Sequence, residues 1–198
     1  MTDQQHYDRN DAVGSSSLPS DQASEQSGET RWTREQYQQF SGLAVAAPFY
    51  LLPQREYIAK RRYQPESPIV FRTTTTGYVS LLDAMNGNLA QLLDADVSVF
   101  SGDNLSQKQS IRLEIVELKS FERQINVRNP ANHTHSITRS KLAEKVAKEI
   151  FDYMKRQQSF GDPAFGLGPG TQGFERLVLL ELRHVSRSSW QPVLGVRN

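Results

Sequence analysis

Two stretches decide the fold class: Ile111-Arg112-Leu113-Glu114-Ile115-Val116, and Ile137-Thr138-Arg139-Ser140-Lys141-Leu142-Ala143-Glu144-Lys145-Val146-Ala147-Lys148-Glu149-Ile150-Phe151-Asp152-Tyr153-Met154. In the first, Ile111, Leu113 and Ile115 recur at every second residue, the period of a half-buried strand, and Ile125 with Val127 repeats it after a short Lys119-Ser120 connection. In the second, Leu142, Ala143, Val146, Ala147, Ile150, Tyr153 and Met154 recur every three or four residues, which places them on one helical stripe. Thr138 is a suitable N-cap, and Ile137 with Leu142 can form a hydrophobic staple that sets the direction of the helix. The block therefore reads as strand, strand and a helix over about 138–157.

Working outward gives the remaining elements. Upstream, Ile69 to Thr75 is β-branched and aromatic enough for a strand. Val79, Leu82, Leu89 and Leu93 have helical spacing, interrupted by Asn86-Gly87-Asn88, and predict a helix over about 78–93. A short strand over 96–100 and a turn at Ser101-Gly102-Asp103-Asn104 follow. Pro48, Pro53, Pro65 and Pro68 divide the earlier chain into extended pieces around Arg55 to Tyr63, where one or two helical turns with Tyr57 and Ile58 packed inward are expected. Thr33 starts a short helix over 34–40. Downstream, Gly166, Gly168, Pro169 and Gly170 make 161–173 a flexible loop. Leu177 to Leu182 is apolar on both faces, the mark of a central strand, and Ser186 to Ser189 turns it into a last strand over 190–196. Hairpin-linked strands with two principal helices between them predict an α+β two-layer sandwich on a mainly antiparallel sheet. Its helices cover one face, leaving Arg112, Glu114, Arg123 and Arg128 nearer water or a partner.

The mean hydropathy of −0.59 is low for a wholly folded chain of 198 residues. The deficit sits in residues 1–30, whose large aliphatics are Val13 and Leu18 among Ser, Gln, Asp and Glu. Such a segment cannot offset its ordering entropy and is expected to be a disordered acidic arm, with 31–198 as one domain. The arm carries six acids against Arg9, which leaves 22 basic and 16 acidic residues in the body, a difference of +6. No signal-like segment and no membrane-length apolar run is present, so a cytoplasmic or nuclear location without membrane association is expected. Zero Cys excludes disulfides, thiolate zinc sites and cysteine catalysis.

Ile111 to Val116, Gln124 to Arg128 leading into Ile137 to Ala147, and Leu179 to Trp190-Gln191-Pro192 occur in an order that resembles a large family of mushroom-forming-fungus proteins. In that family a similar Ile-Thr-x-x-x-Leu-Ala helix precedes a Leu-rich strand and a Ser-Trp-Gln turn. The resemblance covers roughly residues 110–195. It implies an intracellular protein and carries no activity, cofactor or catalytic residue.

Candidate chemistry is sparse. His133-Thr134-His135 has a spacing that can hold a transition metal, but further ligands are lacking nearby and the surroundings read as an exposed loop. Gly166-Leu167-Gly168-Pro169-Gly170 opens into a strand rather than a helix, which removes the free N–H groups a phosphate cradle needs. No Gly-x-Ser-x-Gly context supports a nucleophile, and His184 within a strand reads as a structural histidine. Trp190 reads as packing against the sheet edge. Arg55, Lys60, Arg61, Arg62 and Tyr63 form the one basic and aromatic cluster suited to phosphates and bases, or to an acidic partner.

A non-enzymatic protein-interaction or regulatory module, with no cofactor, metal or catalytic residue, is the function these features favour. The alternatives are a nucleic-acid-associated protein using Arg55 to Arg62, and an enzyme with an unrecognised site. A deep pocket lined by Glu181, Arg183 and His184 would point to the last.

Overall fold

Leu177-Val178-Leu179-Leu180-Glu181-Leu182 is apolar on both faces because it lies in the middle of a sheet covered from both sides. In the computed structural model, which describes residues 49–57, 59, 62–100, 106–116, 118–129, 135–157, 167–168 and 171–197, one mixed sheet contains seven strands. They are β1 (Phe49–Leu51), β2 (Ile69–Val70), β3 (Val79–Ser80), β4 (Lys108–Leu113), β5 (Phe121–Asn126), β6 (Leu177–Ser186) and β7 (Ser189–Arg197). Two helices join them, α1 (Leu81–Asn86) and α2 (Arg139–Arg156), so the fold is α+β. The acidic arm, the helix expected over 34–40, the turn at 101–104, most of the loop at 161–173, and Lys60 with Arg61 lie outside the described residues.

The main path of the sheet is β2-β6-β7-β4-β5, with β3 also on β6 and β1 also on β7. Every pairing is antiparallel except β4 with β7, where Ser110 and Ile111 lie beside Ser189 and Trp190. One edge of β7 is therefore shared by β4 at its start and by β1 at its end. Two bulges kink β6, leaving Leu180 and Val185 without opposite residues on β7. A bulge bends its strand and re-aims neighbouring side chains.

Helix α2 forms as its sequence predicts. The Thr138 hydroxyl accepts the Lys141 N–H at 3.3 Å, and Lys155 and Arg156 occupy the last turn, where the helix dipole favours cations. Its stripe, Leu142 to Met154, is buried in one apolar cluster with Ile111, Leu113, Leu179, Leu182 and Leu194. A smaller cluster, Phe49, Val178 and Leu180 with Tyr78 and Val193, builds a second patch of core. Gly195 is part of its design. A Cβ there would lie 2.7 Å from the Phe49 ring and 3.0 Å from a Val178 methyl, so the bare backbone lets Phe49 pack flush.

Several sequence expectations are corrected. Helicity over 78–93 is confined to Leu81–Asn86, because Ser80 caps the start and Gly87 takes a left-handed conformation, φ 76°, that ends it. Strand character over 69–75 is limited to Ile69–Val70, after which Thr73 caps a turn with its hydroxyl accepting the Thr76 N–H at 2.8 Å. The segment 96–100 makes a single bridge, Ser98 to Thr138, rather than a strand. The described residues between Arg55 and Tyr63 are not helical. Glu114, expected near water, is buried and accepts the Ser120 hydroxyl at 2.5 Å. Trp190 is no edge residue: it is buried between His184 and Phe100.

Candidate binding cleft

Prolines 53, 65 and 68 deny helix to the chain that follows β1, and its described residues, 52–57, 59 and 62–68, form a strap tied down at both ends. At its start, Leu52 donates to the Leu194 carbonyl at 2.9 Å and Arg55 to the Glu114 carbonyl at 2.7 Å. Two buried glutamines secure it further. Gln54 Nε2 donates to the Pro192 carbonyl at 2.6 Å. Gln191 Nε2 donates to the Arg55 carbonyl at 2.8 Å, while its Oε1 accepts the Tyr57 N–H at 3.2 Å. One amide side chain thus does for residues 55–57 what a neighbouring strand would do. At the far end the Tyr63 hydroxyl donates to the His184 carbonyl at 3.1 Å, and the Glu66 N–H donates to His184 Nδ1 at 3.0 Å.

Between these ties lies a cleft of 310 Å³. Leu51, Pro65, Pro68, Val185, Pro192 and Val193 supply apolar wall, and Tyr57 and Tyr63 supply aromatic wall. Glu56, Glu66, Arg183, His184 and Gln191 supply the main polar lining. The volume is at the lower end of small-molecule pockets, which span roughly 300–1,000 Å³.

Most polar groups of the lining are committed to structure. Arg183 Nε lies 2.5 Å from Glu181 Oε1, the pair sharing one face of β6 at positions two apart. Tyr57 carries the Arg112 guanidinium 4.1 Å from its ring centroid, and Arg112 is held in turn by Glu122 at 2.6 Å and the Ser189 hydroxyl at 3.2 Å. The Tyr63 ring meets His184 edge to face, and His184 stacks on Trp190 with centroids 4.7 Å apart. Because His184 Nδ1 accepts a backbone N–H, the ring hydrogen of the neutral imidazole is assigned to Nε2. That atom and Trp190 Nε1 are buried and have no hydrogen-bond partner among the described residues. Burial, and after it the Glu56 carboxylate, push the Tyr63 phenol above its ordinary range.

Three of the five residues singled out from the sequence, Arg55, Arg62 and Tyr63, are among the described residues. Arg55 is half-buried, with Nη2 donating to the Leu118 carbonyl at 3.0 Å, and Tyr63 is tied to His184. Arg62 is exposed, and Lys60 and Arg61 lie outside the described residues. Arg183 and His184 do meet in a pocket, with Glu181 as partner to Arg183. Sequence reasoning missed Gln54, Gln191, Glu56 and Glu66. The available signal was the Glu181-Leu182-Arg183-His184 interruption of an apolar strand.

Among the described residues no group of three or more His, Asp or Glu side chains is placed to hold a metal ion, and no helix is long and apolar enough to cross a membrane. No protein-family model, no curated protein and no solved structure matches this chain.

Proposed function

We propose that the chain is a protein-interaction module that seats a short partner segment in the cleft under the 52–68 strap and carries out no covalent chemistry there. The observation that supports this reading is the division of labour in the lining. His184 Nδ1, the Tyr63 hydroxyl, Arg183 Nε and both glutamines are spent on holding the walls, so the surface left for a visitor is mainly apolar, aromatic and carboxylate. A general base needs a free lone pair within reach of a proton, and the His184 Nδ1 lone pair is taken by the Glu66 N–H. Fixed walls also suit binding, since a preorganised site spends less of its contact energy on ordering itself. Nucleic-acid association through Arg55 to Tyr63 is less favoured, because Arg55 and Tyr63 have structural duties. We read the module as working inside the cell, in the cytoplasm or nucleus, a location with which a cysteine-free composition agrees.

Panning a displayed random heptapeptide library on the full chain tests the proposal, with Pro65→Trp as the comparison. Pro65 is exposed at the cleft wall, so an indole there fills space without disturbing the core. Enriched peptides are expected to compete with one another and to bind the folded Pro65→Trp protein at least about tenfold more weakly, the loss of one well-filled pocket contact. Failure to enrich any peptide, or equal binding to both proteins, overturns the proposal.

A further inference from the structure

We infer, resting on the interaction reading above, that the cleft selects a basic side chain of the partner segment, its aliphatic stem on the apolar and tyrosine wall and its cationic head against the carboxylates of Glu56 and Glu66. The argument begins with charge. The charged lining residues are Glu56, Glu66 and Arg183, besides His184. Arg183 is neutralised by Glu181 at 2.5 Å, whereas Glu56 and Glu66 are exposed and form no ion pair among the described residues. Among the described lining residues the charge left unpaired is therefore negative. The Tyr63 phenol registers it, since the Glu56 carboxylate opposes loss of its proton. Both carboxylates border the same cleft of 310 Å³.

The walls suit the rest of such a side chain. Lysine and arginine carry apolar stems that cover hydrophobic surface while the head stays near water. Tyrosine rings attract cations, and Tyr57 already holds one in this structure, the Arg112 guanidinium 4.1 Å from its centroid. Tyr57 lines the cleft, whereas Arg112 is not part of the lining. The size fits a side chain with its flanking backbone rather than a folded element. The chain's own acidic arm is the wrong occupant, because residues 1–30 carry six acids against one arginine and share the sign of the cleft.

The test titrates the ¹⁵N-labelled full chain with three capped amino acids, the N-acetyl methylamides of lysine, norleucine and glutamate, and follows amide shifts. Norleucine keeps the stem and lacks the charge. Shifts are expected at the amides of Tyr57, Tyr63, Glu66 and Val193, with lysine binding about fivefold more tightly than norleucine, the scale of two exposed ion pairs, and glutamate weakest. In Glu56→Gln/Glu66→Gln, two exposed substitutions, lysine is expected to fall to the norleucine value, and salt is expected to erode the preference in the parent. Equal binding of lysine and norleucine, or a lysine preference that survives the double substitution, overturns the inference while leaving cleft binding intact. Absence of cleft shifts with all three probes overturns it as well, and the interaction reading is then decided by the Pro65→Trp panning alone.

Discussion

Gln191→Leu isolates the strap from everything else in the fold. Leucine keeps most of the side-chain volume, so little cavity forms, but it removes the donor to the Arg55 carbonyl at 2.8 Å and the acceptor for the Tyr57 N–H at 3.2 Å. The third contact, 3.5 Å to Gln54 Oε1, is too long to count for much. Two ordinary hydrogen bonds contribute about 1 kcal/mol each, and the stranded backbone groups face a cleft that water can enter, so the desolvation penalty is not paid in full. The expected cost is about 2 kcal/mol. Where it is felt matters more than its size. The strap is tied at several points, so it is expected to lift locally before the sheet melts, and hydrogen exchange at the Tyr57 amide should quicken by about thirtyfold, the equivalent of 2 kcal/mol. Amides in β6 and α2 should keep their protection. Native-state exchange read by NMR, beside a urea melt, decides the matter. Unchanged protection at Tyr57, with a stability loss below about 0.5 kcal/mol, refutes the claim that Gln191 substitutes for a strand.

Three further outcomes are expected. Gly195→Ala should cost about 1–3 kcal/mol in a thermal or urea melt, because the new Cβ would meet the Phe49 ring at 2.7 Å, and Phe49→Leu in the same chain should recover part of the loss. Hydrogen bonds from Lys141 and Lys148 hold the Glu144 carboxyl below its usual range, so its contribution is present above the unfolded value of about 4.3 and is lost as pH falls through the folded value. Burial instead raises Glu149, so its contribution favours folding at low pH and is lost as pH rises through the folded value. Urea midpoints between about pH 3 and pH 6 should therefore show Glu144→Gln destabilising and Glu149→Gln stabilising at the upper end only. Finally, Lys60→Ala/Arg61→Ala/Arg62→Ala should leave retention on immobilised DNA and RNA unchanged across a salt series; a steep salt-dependent retention lost in the triple variant would restore the nucleic-acid reading.

What could be read from the sequence was what repeats over short distances. The α2 stripe from Leu142 to Met154 and the two-sided apolar run of β6 are written within single elements, and both form as their periods require. Helix α1 was overextended because Leu89 and Leu92, which share its spacing and are buried, reach the core from turns beyond the Gly87 cap. The cleft is invisible to such reading for a physical reason. Its ties join residues far apart in the chain: Gln191 to Arg55 across 136 positions, Glu66 to His184 across 118. No local pattern marks a glutamine that will complete a strap's backbone bonds, and the proline-broken chain from 53 to 68 offers no period at all. The basic cluster shows the same limit. Arg55 and Tyr63 look like surface chemistry when read beside Lys60 to Arg62, yet each is half-buried and bonded to a backbone carbonyl, Leu118 for one and His184 for the other. Those bonds fasten the strap, and the cleft between its ties is lined by two carboxylates, Glu56 and Glu66, that no local pattern marks.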